Sequence, residues 1–218
     1  MKQPLIAPSI LASDFMNLER DIKMIEESQA DWIHVDVMDG VFVPNISFGM
    51  PIIKQLKPIA QKPLDVHLMI VDPDRYLDTF ADLGADHITV HLEACNHLHR
   101  TLNHIRQLGL KSGVALNPHS RIDLIEDCIE DIDIICLMGV NPGFGGQKFI
   151  PRTIDKIKQL RSLLDRNNSN TLIEIDGGVD LGNAHIIHQA GADVLVAGSA
   201  VFKSVNPKQM ILDLKKGS

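Results

Sequence analysis

In WIHVDVMDG (residues 32–40) a histidine and an aspartate, His34 and Asp36, interrupt a run with the apolar composition of a buried strand. DVHLM (65–69) repeats the theme with His67, and EIDGGV (174–179) carries Glu174 and Asp176. Burying a charge is costly unless it is paired or binds a metal, so these polar groups need a chemical reason. Side chains two apart on a strand share a face. His34, Asp36 and Met38 therefore align, as do His67 and Met69, and Glu174 and Asp176. If those faces meet, two imidazoles and two carboxylates converge, a donor set suited to a divalent cation of the Zn, Fe, Mn or Co type. The alternative is a set of separate, hydrogen-bonded core residues. H-x-D on one strand, H-x-M on the next and a strand-ending Asp favour the site.

His91, Glu93, His97 and His99 form a second cluster. His97 and His99 fall at the start of a helix, where residues two apart do not face each other, so they read as a solvated helix end. His91 could still line the same mouth. Glycine-rich turns follow three late strands: NPGFGGQKF (141–149), DGGV (176–179) and AGS (197–199). Glycine lets backbone N–H groups approach an anion closely, and together these turns suggest a phosphate on the substrate. Met38, Met69 and Met138 lie near strand ends. Core filling is the usual role of methionine; beside carboxylates the three suggest a soft, water-poor wall.

Such residues need strand ends to present them. Short Val/Ile/Leu-rich runs recur at 5–11, 32–38, 64–70, 87–93, 111–117, 132–140, 172–179 and 194–202. Segments of helical spacing lie between them, such as Leu18, Ile22 and Ile25, then Ile122, Ile125 and Ile129, then Ile154, Ile157, Leu160 and Leu164. Eight strand–helix units of about 27 residues imply a parallel sheet covered on both faces, closing as an α/β (β/α)8 TIM barrel. A doubly wound open sheet is the alternative, but the first strand is followed by no dinucleotide fingerprint. The 15 glycines and 11 prolines are scattered, leaving no linker, so residues 1–218 are expected to form a single barrel domain.

A net charge of −7 with dispersed Lys and Arg argues against a nucleic-acid partner. No run reaches the roughly 20 apolar residues of a membrane span, so a cytoplasmic protein without a membrane partner is expected. Cys95, Cys128 and Cys136 lack CxxC spacing and read as free, buried thiols. Asn167-Asn168-Ser169 matches a glycosylation sequon, read as chance in the absence of a secretion signal.

Two acids, a cation and a phosphate anchor fit proton abstraction beside a sugar carbonyl. The proton is too weakly acidic for an ordinary carboxylate unless charge on the enediolate is stabilised where it develops. If one Asp takes the proton from one face and the other returns it to the opposite face, the product is an epimer. A Schiff-base aldolase would need a lysine at a strand end, yet Lys111 begins its strand. A decarboxylase of the D-x-K-x-x-D kind would need lysine between acids, where this chain has Val37 and Met38 before Asp39. A non-enzymatic phosphate-binding barrel is the alternative from another class.

Six motifs in order, APSILASDF (7–15), HVDVMDGVFVPN (34–45), DVHLM (65–69), NPGFGGQKFIP (141–151), EIDGGV (174–179) and VAGSAVF (196–202), resemble those of the ribulose-phosphate 3-epimerase family over nearly the whole chain. The resemblance implies a ribulose-phosphate binding barrel that interconverts D-ribulose 5-phosphate and D-xylulose 5-phosphate, in the pentose phosphate pathway or the Calvin cycle. It also implies one divalent metal ion per subunit, described in the family as zinc or ferrous iron, on His34, Asp36, His67 and Asp176, with Asp36 and Asp176 as the acid/base pair. Ser9 and His67 would hold substrate oxygens, and Met38, Met69 and Met138 would pack against the enediolate. Backbone at Gly143, Phe144, Gly145, Gly146, Gly177, Gly178, Gly198 and Ser199 would hold the phosphate. Barrels of this family are usually homo-oligomers, dimers or hexamers. Two departures stand beside the site: Ala12-Ser13 where Ser-Ala is more common, and Gly139 where Ser is common. A sister epimerase acting on allulose 6-phosphate is the rival reading, and APSIL and VAGSAVF favour the pentose substrate.

Overall fold

The computed structural model describes residues 3–217; Met1, Lys2 and Ser218 of the expected 1–218 domain lie outside the described residues. Eight strands, β1 (Leu5–Pro8), β2 (Ile33–Met38), β3 (Leu64–Met69), β4 (His87–His91), β5 (Lys111–Leu116), β6 (Ile134–Met138), β7 (Leu172–Asp176) and β8 (Val194–Ala197), pair in parallel in the order β1-β8-β7-β6-β5-β4-β3-β2. A parallel bridge between Ser9 and His34 brings β1 to β2 and closes the barrel. Each strand is shorter than its apolar run in sequence. The chain turns at the C-terminal ends, where the run 194–202 divides into β8 and a short helix at Ser199–Phe202.

The strands present two different faces. Ile33, Val35 and Val37 of β2 join the main core with Ile22 and Ile25 of helix α1 (Leu18–Glu26) and Ile53 of α2 (Met50–Leu56). Each such fully buried side chain is worth roughly 1.5–3 kcal/mol. Helices α3 (Leu77–Asp82), α4 (Leu98–Gln107), α5 (Thr153–Arg166) and α6 (Ala184–Gln189) continue the ring, and α7 (Ser199–Phe202) and α8 (Pro207–Lys216) end it. Local chemistry sets the bounds of α8. Asn206 accepts a hydrogen bond from the Gln209 N–H, Pro207 supplies a preset first-turn φ, and Gly217 takes the left-handed φ of 69° that ends the helix.

The expected helix between β5 and β6 is a 3-10 helix, Ile122–Asp131. Ile122, Ile125 and Cys128 recur every third residue, the period of that tighter helix, and its last N–H bonds run three residues back, from Ile132 to Ile129. Cys136 is buried, whereas Cys95 and Cys128 are half-buried; all three are free thiols. Among the described residues, no helix is long and apolar enough to cross a membrane.

A repeated device ties the N-terminal end of the barrel. Asp31, Asp86, Asp133 and Asp193 each stand just before an even-numbered strand and accept the backbone N–H of the preceding odd-numbered one, at Ile6 (2.8 Å), Leu64 (2.9 Å), Ser112 (3.0 Å) and Ile173 (2.8 Å). Each also meets a cation: Lys215 at 2.6 Å, Lys57 at 3.3 Å, Lys111 at 3.0 Å and Arg161 at 2.5 Å respectively.

Candidate active site

Strand register brings the polar residues together at the other end. Across β2 and β3, His34 pairs with Asp65, Asp36 with His67 and Met38 with Met69. Across β6 and β7, Met138 pairs with Asp176. His34, Asp36, His67 and Asp176 each offer one donor atom, and these atoms all lie within 4.8 Å of one another. All four residues are buried. Asp36 Oδ1 is 3.3 Å from His34 Nε2 and 3.2 Å from His67 Nδ1, and Asp176 Oδ2 is 3.4 Å from His67 Nδ1.

This cluster fits a divalent cation. His34 Nε2 is buried and unpartnered among the described residues, its Nδ1 being taken by Asp65 Oδ2 at 2.7 Å. That second bond fixes the ring and points Nε2 at Asp36, the nitrogen that would turn to a metal. Two imidazoles and two carboxylates are a donor set for Zn or Fe, not for a cation that seeks oxygen alone.

Charge without such a cation is held by protons. Burial depresses His67, but hydrogen bonds with Asp176 and Asp36 outweigh it and raise the imidazole to about 9. Burial likewise works against charge on Asp36, yet His34 and then His67 hold it well below the usual carboxylate range. Deeper still, Glu174 is fully buried, with neither carboxylate oxygen partnered among the described residues. Burial and then the charge of Asp65 raise it well above the ordinary carboxylate range. The sequence aligns Glu174 with Asp176, but only Asp176 reaches the ligand cluster of His34, Asp36 and His67.

A pocket of about 350 Å³ opens above the cluster. Ser9, Asp36, Met38, Met69, Met138 and Asp176 line its floor; Gly143, Phe144, Gly145, Gly146, Gly177, Gly178, Gly198 and Ser199 line its rim. Ser9 donates its hydroxyl to Asp36 Oδ2 at 2.5 Å. Both nitrogens of His67 have near neighbours, the carboxylates on one side and His91 on the other, so His67 presents no spare nitrogen to a substrate oxygen.

The rim is built on tight backbone. Gly177 and Gly178 have φ of 99° and 72°, and a Cβ at Gly178 would lie 2.6 Å from the Phe149 nitrogen, so no other residue fits that turn without displacing the loop. Gly139 belongs to the same packing. A Cβ there would meet the Gly177 carbonyl oxygen at 2.2 Å, so a serine at 139 would require the 176–178 turn to move. Asn45 ties the two loops over the mouth by donating to the Gly143 carbonyl at 2.9 Å.

Other sequence candidates fall elsewhere. His99 is exposed and His97 precedes α4, as a solvated helix start should. His91 is buried behind His67 and does not line the pocket. Asp39 accepts the N–H groups of Val41, Phe42 and Val71, which hold its pKa down despite its partial burial and pin the loop after β2. Asp65 is the contributor that sequence reasoning missed; its parity with His67 was visible, its register with His34 was not.

The profile of the Ribulose-phosphate 3 epimerase family matches residues 5–202. A Bacillus subtilis protein named ribulose-phosphate 3-epimerase is 50% identical over 211 residues, covering 96% of this chain and 97% of the relative. A Synechocystis protein of the same name is 49% identical over 216 residues, covering 98% and 94%. Among solved structures, orotidine 5'-phosphate decarboxylase from Pyrococcus horikoshii superposes with a TM-score of 0.70 at 17% identity, covering 98% of each chain, which speaks for the barrel fold alone.

Proposed function

The chain belongs to the ribulose-phosphate 3 epimerase family and is an isomerase, and from that premise we propose that it interconverts D-ribulose 5-phosphate and D-xylulose 5-phosphate by two-base proton transfer at C3. One observation carries the mechanism. Asp36 from β2 and Asp176 from β7 bring carboxylate oxygens within 4.8 Å of each other at the floor of one pocket. One carboxylate removes the C3 proton from its face of the sugar, and the other delivers a proton to the opposite face. The Ser9 hydroxyl holds Asp36 Oδ2, so that carboxylate keeps one orientation through the transfer.

His34 Nε2, Asp36 Oδ1, His67 Nδ1 and Asp176 Oδ2 would hold one divalent ion, zinc or ferrous iron before manganese or cobalt. When bound, that ion would supply Lewis-acid stabilisation of the charge developing on the enediolate oxygens. Met38, Met69 and Met138 exclude water from the reacting carbons and give them a polarizable wall. Backbone at Gly143–Gly146, Gly177–Gly178 and Gly198–Ser199 receives the phosphate at the rim, fixing the distance from anchor to C3.

The same reading places the enzyme in the pentose phosphate pathway or the Calvin cycle, as a single barrel domain in a cytoplasmic homo-oligomer, a dimer or hexamer. NMR in D2O with the metal-loaded protein tests it. Deuterium entering C3 of ribulose 5-phosphate as xylulose 5-phosphate appears is the expected result, with slower exchange of allulose 6-phosphate. Absence of exchange with either sugar would contradict the epimerase reading and favour a binding barrel.

A further inference from the structure

Behind the pocket a line of side chains runs from His67 to the loop after β5. His67 Nε2 lies 3.0 Å from His91 Nε2. The two ring planes are 26° from parallel, with centroids 5.0 Å apart. His91 Nδ1 is 3.2 Å from Glu93 Oε2. Phe42 covers the His91 ring at 4.7 Å, and His91 itself is fully buried. Glu93 Oε1 accepts the Asn117 N–H at 2.9 Å and the Ser120 hydroxyl, which anchors the carboxylate to the end of β5 and its loop.

The proton count along this line has one solution. An ionised carboxylate only accepts, so His91 carries its proton on Nδ1 and donates it to Glu93. Neutral His91 then presents a lone pair at Nε2. His67 must place a proton on Nε2 to complete the 3.0 Å bond, so Nδ1, beside Asp36 and Asp176, is the nitrogen that gives up its proton when a metal binds. The opposite tautomer of His91 would strand the Glu93 oxygen and put the His67 proton on the nitrogen that faces the cluster.

We infer that His91, anchored by Glu93, is a positioning residue for the metal centre: it selects the tautomer of His67 and holds the ring plane. The inference rests on His67 being a metal ligand, and not on which sugar is bound. His34 and His67 thus use opposite ring nitrogens toward the cluster, the first held directly by Asp65 and the second through His91.

The test is zinc affinity of the full chain by competition with a chelator, with cobalt absorption as a second reading of ligand geometry. His91→Phe keeps a ring and loses the acceptor; it should weaken zinc by about 10- to 100-fold and lower kcat while leaving KM for ribulose 5-phosphate unchanged. His91→Gln restores an acceptor where Nε2 stood and should recover most of the affinity and the cobalt spectrum. Zinc affinity and cobalt spectrum unchanged in a folded His91→Phe protein would overturn the inference and leave the metal reading standing. Zinc uptake absent from the wild-type chain would remove both. Histidine-ring 15N NMR of the zinc-loaded wild type reads the tautomer without any substitution: a proton on His67 Nε2 is expected, and a bare Nε2 would overturn the inference.

Discussion

Aspartates crowd both ends of this barrel, and they do different things. At the N-terminal end Asp31, Asp86, Asp133 and Asp193 each accept one strand N–H and face one Lys or Arg. At the C-terminal end Asp36 and Asp176 face imidazoles and lack Lys or Arg partners among the described residues. A permanent cation and a backbone amide satisfy a carboxylate completely, which makes it a fastener. Imidazoles can give up their protons to a metal, and the carboxylates beside them stay available for a reaction. The partner, more than the aspartate, decides whether the group stabilises or reacts.

Exchanging carboxylate for amide at the two ends should separate these roles. Asp36→Asn or Asp176→Asn is expected to lower kcat by about 10³-fold or more, since each would remove one of the two proposed acid/base groups and a proposed ligand, while circular dichroism stays native. Near-full turnover in either variant would erase the difference between the ends.

A second effect follows from the proton on His67. Its value in the folded, metal-free protein is raised from 6.5 to about 9, so the stability it contributes is complete below pH 6.5 and disappears as pH rises through about 9. Metal must displace that proton and the one on His34, which Asp36 and Asp65 raise well above its ordinary value against burial, so zinc affinity should rise by about tenfold or more per pH unit between neutrality and pH 9. Chelator competition across that range checks it; a flat profile would mean that His67 is not a ligand.

The smallest effect belongs to the fasteners. Asp193→Asn or Asp133→Asn should cost about 1–2 kcal/mol in urea unfolding, the worth of a charge-assisted hydrogen bond with its ion pair, and leave kcat unchanged. Loss of activity at constant stability would show that the N-terminal end also takes part in the chemistry.

Much of the contrast is legible in the sequence. Period-two alternation put His34, Asp36 and Met38 on one face, and the eight apolar runs required a barrel that gathers such faces at one end. Pairing between strands was not legible, because register is set by packing between segments distant in sequence. Asp65 behind His34 and His91 behind His67 were therefore missed as partners. Glu93 stands beside His91 in the sequence cluster, but its hold on Asn117 and Ser120 is not legible there, because the chain leaves β4 after His91 and enters a 3-10 turn at Leu92–Ala94. The Ile122–Asp131 segment misled in a similar way, since Ile122, Ile125 and Ile129 satisfy the helical template while the backbone closes three-residue turns.

The central claim is that Asp36 and Asp176 act on opposite faces of one carbon. Its most direct test follows C3 deuterium exchange of each epimer separately with metal-loaded Asp36→Asn and Asp176→Asn. One variant should exchange only ribulose 5-phosphate and the other only xylulose 5-phosphate, with neither interconverting them. A variant that still interconverts the sugars, or exchanges both, would contradict the two-base account.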